Sequence, residues 1–479
     1  MPSVSAEDAE DTPLAAAAAA VAADDTVASV EVVIPPVALA WVDEQGVIAR
    51  TNPHPQLTAG GGYAPAAADL LALVPRRSPL RPGVMVPVGV ILAIVAAYCG
   101  TLLLWPLHAV PPTVSPLSVQ PVPAAPAAIS WPGDGSAAVV ADGIGPATAS
   151  SPGIVPMASI TKLVTALLVL EQEPLEPGEQ GRSFQFSAND RTLYRGYLSR
   201  GESALDVPVG GSLTLYQMLQ GMLIGSANNY ADRLAQTYWP TDAVFAAAAN
   251  GWLSQRGLTG LSVVEPTGID RGNTASPEAL LALGKRALAN PVIAEIVRTP
   301  AVELPGAGWV ENTNKLLAID PGVVGIKTGT LDTSNLLAAK DVAIGDTVVR
   351  IYADALGQPD PETRDAATQS LFAQVEQQLQ PAPSVPAGTT VGQVMTLWGD
   401  PIGIVTDEDA SVVLWNGSVA EAATTFSLGD AREEGDVVGA LTATGPRDSD
   451  TVGLVLAEDV PAPSPWWRLT HPLELFGLA

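Results

Sequence analysis

A chain of 479 residues has room for two or three domains, and a formal net charge of −27 with no basic stripe to offset it repels phosphate backbones, so nucleic acid is excluded as a partner. One cysteine, Cys99, and three histidines, His54, His108 and His471, leave no disulfide framework and no Cys- or His-based metal site. All three histidines fall outside the stretch from about 130 to 380, which also excludes a Ser-His-Asp triad there. Neither a metal nor a cofactor is expected.

Residues 1–80 combine an acidic start, the alanine run Ala15 to Ala20 and scattered Pro and Gly. This predicts a disordered segment, with a short strand near Val30 to Ile34 as its one ordered element. From Val84 to Leu104 the sequence is apolar and uncharged, and a helix over 81–105 would cross a hydrocarbon layer of roughly 30 Å. Arg76, Arg77 and Arg81 precede this run, and no Lys or Arg follows until Lys162. The positive-inside rule therefore predicts a single-pass protein of the cell membrane, with residues 1–80 cytoplasmic and the remainder extracellular. A buried core helix is the competing reading. Between Pro106 and Pro132, eight prolines and no charged residue predict an extended linker of about 3.1 Å per residue that would hold a domain off the bilayer.

Over 133–380 strand and helix patterns mix. Ala137 to Ala141 reads as a strand, and Ser159 to Leu170, Leu213 to Ile224 and Pro277 to Ala289 as helices, with Ser212 and Ser276 placed to cap the last two. Strand-like runs follow at Gly322 to Gly329, Leu336 to Lys340 and Thr347 to Tyr352, then an amphipathic helix from Pro361 to Leu379. The class is α/β (α+β), a sheet with helices packed on it. Over 381–461 helical periodicity gives way to short runs at Gly403 to Thr406, Val412 to Trp415 and Thr451 to Ala457, which predicts a small all-β domain. In the tail, 462–479, Trp466 and Trp467 suit either a membrane interface or packing on the β domain.

The chain uses eighteen Arg and five Lys, and all five (Lys162, Lys285, Lys315, Lys327 and Lys340) lie between 133 and 380. Arg keeps its proton at usable pH while a desolvated Lys can lose it, so these lysines are candidates for chemistry. In Ser159-Ile-Thr-Lys162 a hydroxyl and an amine stand three apart on a helix that is otherwise apolar nearly all round. Burial would disfavour the charged amine and suit it to take the Ser159 proton. The same segment also fits a helix cap with a snorkelling lysine. Ser226-Ala-Asn228 offers a hydroxyl to relay a proton and an amide to hold a substrate, or simply a second cap. Lys327-Thr328-Gly329 ends a strand whose edge could pair with an extended peptide, Gly329 permitting close approach and Lys327 with Thr328 binding a carboxylate.

In this order the three motifs resemble the signature of penicillin-recognising serine enzymes. The longer runs Pro156-Met-Ala-Ser159-Ile-Thr-Lys162-Leu-Val-Thr165, Leu223-Ile-Gly-Ser226-Ala-Asn228-Asn-Tyr-Ala231 and Gly322-Val-Val-Gly-Ile-Lys327-Thr-Gly329 resemble the low-molecular-mass D-alanyl-D-alanine carboxypeptidases. Glu265-Pro-Thr-Gly-Ile-Asp270 and Asn312-Thr-Asn-Lys-Leu-Leu317 look like that family's connecting segments. The resemblance implies a transpeptidase-like (serine β-lactamase-like) domain with an antiparallel sheet over 133–380, followed by a β domain. It implies removal of the terminal D-Ala from peptidoglycan pentapeptide stems through an acyl-enzyme, with β-lactams as covalent inhibitors. By the same resemblance Ser159 is the nucleophile, Lys162 its base and Ser226 a proton relay. Asn228, Lys327, Thr328 and Gly329 would position substrate, and the N–H groups of Ser159 and Thr330 would form the oxyanion hole. Two other readings compete: a β-lactamase using Glu265, and an inactive scaffold that binds wall peptides. The run Thr330-Leu-Asp-Thr-Ser-Asn335 departs from the family's usual sequence, so a differently shaped substrate edge is expected.

Overall fold

The structure, a computed structural model, describes residues 81–478. The disordered segment and short strand expected within 1–80 lie outside the described residues. Pro82–Leu104 forms one helix of 23 residues in which Leu102 alone is buried. That exposure removes the core-helix reading, because an apolar helix bare on all sides has no stable place in water. Among the described residues it is the one helix long and apolar enough to cross a membrane.

The expected extended linker is tied down by hydrogen bonds along its length. Thr113–Pro116 is an edge strand paired antiparallel with Thr390–Met395. Farther on, Val122 N donates to Ser384 O (2.7 Å) and Ala124 N to Ser418 O (2.9 Å). Ser130 is held from both sides of its peptide by the Gln374 side chain, and Gln378 Nε2 donates to Ala128 O at 2.8 Å. Prolines lack a donor, but the residues between them keep theirs, and an edge strand tolerates Pro116.

Five antiparallel strands form the first sheet, in the order Val323–Thr330, Ser334–Ile344, Thr347–Gln358, Ser136–Ala141, Thr148–Ala149. Consecutive residues from Ile351 to Leu356 and all of Ser136–Ala141 are buried, so both faces of the sheet's middle are covered. Helices Pro277–Leu288 and Pro361–Gln378 pack on it. Ser276 caps the first of these through Ala279 N as expected, but Thr214, not Ser212, caps the helix Leu215–Leu223, because Ser212 is drawn into a short strand with Gln185. The helix Lys162–Gln172 has every residue from Lys162 to Leu170 buried and sits at the centre of the helical packing.

Thr390–Met395, Ile402–Thr406, Ser449–Leu456, Val437–Thr444 and Glu421–Phe426 continue from the Thr113–Pro116 edge strand into a six-stranded sheet. Its core includes Val391, Val394, Ile404, Leu441 and Leu454. In the tail, Trp467 packs edge-on to Trp398 at 5.5 Å, while Trp466 is 74% exposed. It also returns to the apolar helix, where Arg468 donates to Trp105 O (2.7 Å) and Tyr98 Oη donates to Leu469 O (2.9 Å).

Candidate active site

Ser159 does not begin an α-helix. It stands on a 3₁₀ turn, Ala158–Thr161, from which the α-helix starts at Lys162. In 3₁₀ geometry side chains three apart eclipse each other, which brings the Ser159 hydroxyl over the Lys162 amine. Lys162 Nζ lies 2.8 Å from Ser159 Oγ. The amine is 0% exposed, so it neither snorkels nor leaves the hydroxyl to cap a helix.

The turn is locked from several sides. Ala158 has φ +51°, a left-handed conformation unusual for a residue with a side chain. Thr161 Oγ1 donates to its carbonyl at 2.8 Å, and Asn335 Nδ2 donates to Pro156 O at 3.0 Å. Gly329 lets the edge strand close on the turn, since a Cβ there would meet Met157 O at 2.7 Å. Gly268, at φ +84°, is pressed against the Ala158 carbonyl so closely that a Cβ would collide with it. Gly268→Ala is therefore expected to lose about 1–3 kcal/mol to backbone strain and to displace Ser159. Thermal melting together with the rate of penicillin acylation checks this, and wild-type values for both would disprove the packing argument.

Besides Ser159, Lys162 Nζ reaches Asn228 Oδ1 and the Thr267 carbonyl, each at 2.7 Å. Both are acceptors only. A neutral amine must spend its two N–H bonds on them, leaving its lone pair for the one partner able to donate, the Ser159 hydroxyl. Burial pulls the Lys162 pKa down to about 7, against the opposing attraction of Glu265, Asp232 and Glu202.

Ser226, at φ +58°, follows the helix Leu215–Leu223, and Asn228 opens the helix Asn228–Tyr238. The two lysines divide these partners. Ser226 Oγ accepts from Lys327 Nζ (3.0 Å), whereas Asn228 serves Lys162. Lys327 is as buried as Lys162 and is held well below the usual lysine range by desolvation, then by the charges of Lys162 and Arg364. Thr328 Oγ1 bonds Thr313 Oγ1 at 2.7 Å. Asn228, expected to hold a substrate amide, is already engaged at both ends, its Nδ2 donating to Glu202 Oε2 at 3.0 Å. Ser159, Ser226, Thr313, Thr328, Thr330 and Arg364 line one cleft of about 410 Å³. The residues of the three motifs thus lie in or against one site, and Lys315 stands in its lining, whereas Lys285 and Lys340, also candidates from the sequence, are paired elsewhere with Asp142 and with Asp320 and Glu376. Arg364, 4% exposed in the first turn of Pro361–Gln378, was not among the candidates. Nor were Thr313, Glu202 and the Thr267 carbonyl.

Glu265 is occupied by its own loop. Its carboxylate accepts from Thr267 N (2.7 Å), Thr267 Oγ1 (2.6 Å), Gly268 N (2.6 Å), Asp270 N (3.3 Å) and Asn273 Nδ2. A carboxylate so saturated shapes the loop that presents the Thr267 carbonyl; it has no free lone pair aimed at an attacking water.

The family described as D-alanyl-D-alanine carboxypeptidase matches residues 150–347, the segment holding all three motifs. D-alanyl-D-alanine carboxypeptidase DacF of Bacillus subtilis is 26% identical over 267 residues, covering 54% of this chain and 66% of that protein. D-alanyl-D-alanine carboxypeptidase DacB2 of Mycobacterium tuberculosis is 33% identical over 133 residues, 26% of this chain and 45% of that protein. The chain thus spans less than two thirds of the length of these curated family members. Among solved structures, a peptidoglycan synthesis regulatory factor (PBP3) from Streptococcus pneumoniae aligns with a TM-score of 0.47 at 22% identity, over 68% of this chain and 99% of that one.

Proposed function

We propose that the chain is a serine-type D-alanyl-D-alanine carboxypeptidase that removes the terminal D-Ala from peptidoglycan stem peptides. The observation that carries the reading is the buried Lys162 amine, 2.8 Å from Ser159 Oγ, with its other two partners unable to donate. Ser159 Oγ attacks the carbonyl carbon of the penultimate D-Ala as its proton passes to Lys162. The backbone N–H groups of Ser159 and Thr330 hold the developing oxyanion. When the C–N bond breaks, the departing amine takes a proton from Lys162, with the Ser226 hydroxyl as the neighbouring relay. Water then releases the acyl-enzyme, and β-lactams acylate Ser159 in place of substrate.

For the terminal carboxylate, Thr328 and Arg364 line the cleft and Lys327 lies against it, and the Arg364 guanidinium keeps N–H donors beyond the two it gives to Asp365. Arg364→Ala should raise KM for a peptide ending in a free carboxylate by about 10- to 100-fold, the size of a charged hydrogen bond, with a smaller change in kcat. Equal losses for a substrate whose C-terminus is amidated would remove Arg364 from that role.

Residues 133–380 would be the carboxypeptidase domain and 381–461 an accessory β domain. The exposed apolar helix Pro82–Leu104 supports a single membrane span with both domains outside the cell, where the stem peptides are. Release of free D-Ala from diacetyl-Lys-D-Ala-D-Ala by the full chain in detergent or liposomes tests the activity. Sustained nitrocefin hydrolysis without D-Ala release would favour a β-lactamase instead.

A further inference from the structure

Resting on that reading of the site, we infer that Glu202 is a positioning residue that dictates which end of the Asn228 side chain faces Lys162. An amide can present either a carbonyl oxygen or an NH₂ to its neighbour, and the two faces have nearly the same shape. In this site they have opposite consequences. With Oδ1 toward Lys162, the neutral amine donates to it and to Thr267 O, and its lone pair is left for the Ser159 hydroxyl. With Nδ2 toward Lys162, the lone pair would accept from the amide and be lost to Ser159.

Glu202 removes the second arrangement. Its Oε2 accepts from Asn228 Nδ2 at 3.0 Å, and an ionised carboxylate can only accept, so Oδ1 is turned to the amine. Its other oxygen accepts from Arg200 Nε at 2.5 Å, and its side chain is 11% exposed, so the carboxylate is itself fixed. The same short segment holds Asn228 by its backbone, whose N–H donates to Ser203 O at 2.9 Å. Glu202 touches neither Ser159 nor substrate, and acts through Asn228.

Its charge acts on the same amine. Lys162 faces Glu265 from the loop that presents the Thr267 carbonyl, Asp232 from the helix Asn228–Tyr238, Glu202 from the segment between helices, and Lys327 from the edge strand. Glu202 is one of three carboxylates that favour the ammonium form. Its removal should therefore lower the pH at which Lys162 loses its proton.

The second-order rate constant for acylation by a fluorescent penicillin, measured across pH on the full chain, tests both effects. Wild-type labelling that depends on Ser159 comes first; without it the carboxypeptidase reading itself fails. In Glu202→Ala the plateau at high pH, where Lys162 is already neutral, should fall roughly ten- to a hundredfold, the effect of misplacing a catalytic group. Glu202→Gln keeps an acceptor oxygen and should recover much of that loss, and in both variants the acidic limb should move to lower pH. The Glu202→Ala loss should shrink in an Asn228→Ala background, because the two residues act as one unit. An unchanged plateau and limb, or an equal loss with and without Asn228, overturns the inference while leaving the carboxypeptidase reading intact.

Discussion

Ser159→Ala should abolish covalent labelling by penicillin and lower D-Ala release by at least about 10⁴-fold, since no second nucleophile is poised in the cleft. Ser226, another hydroxyl lining the cleft, accepts from Lys327 Nζ, which has one acceptor-only partner, the Thr328 carbonyl, where Lys162 has two, so nothing obliges a Lys327 lone pair to face Ser226. The fold should survive, because Ser159 makes no capping bond and the turn is held by Thr161, Gly268 and Gly329. Intact-mass analysis after incubation with penicillin reads the result directly. A penicilloyl adduct of unchanged yield on the Ala variant would mean that another residue is the nucleophile.

Acylation by the wild-type chain should fall about tenfold for each pH unit below the Lys162 pKa of about 7, and level off above it. The sign follows from the base form being the neutral amine. Lys162→Arg should lose the limb together with at least roughly 10³-fold in rate, because a guanidinium keeps its proton throughout this range. Stability should respond to the same group. An unfolded lysine titrates at 10.5, so the unfolded chain binds the extra proton between about 7 and 10.5, and this group's contribution to stability rises with pH across that window. A pH–rate profile with its acidic limb centred near 4, and untouched by Lys162→Arg, would assign the base to a carboxylate.

The chemistry was legible because it is local. A hydroxyl and an amine three positions apart meet in a 3₁₀ turn as readily as in the expected α-helix, so the error about the helix start did not disturb the pair. Lys327-Thr-Gly needed only a strand. What stayed hidden depends on distant contacts: Lys162 meets Asn228 across 66 positions and the Thr267 carbonyl across 105. A backbone carbonyl also carries no residue type that could flag it. Arg364 was one arginine among eighteen, distinguished by burial and not by its neighbours in sequence. In the β region, Glu421–Phe426 is mostly small and polar side chains, with no apolar run and no two-residue alternation, and its pairing with Val437–Thr444 makes it a strand. Composition misled most between Pro106 and Pro132, where eight prolines drew attention from the N–H groups between them.

Those stitched residues bear on which wall peptides the cleft would meet. A catalytic domain on a slack tether would sweep a broad shell of the wall. Here the connecting chain is bonded to the β sheet at Thr113–Pro116, to Ser384 and Ser418 beyond it, and to the helix Pro361–Gln378 before entering the first sheet. Were its apolar helix to sit in a bilayer, as proposed, a connection bonded along its length would hold the cleft to a narrower range of heights than a slack tether allows.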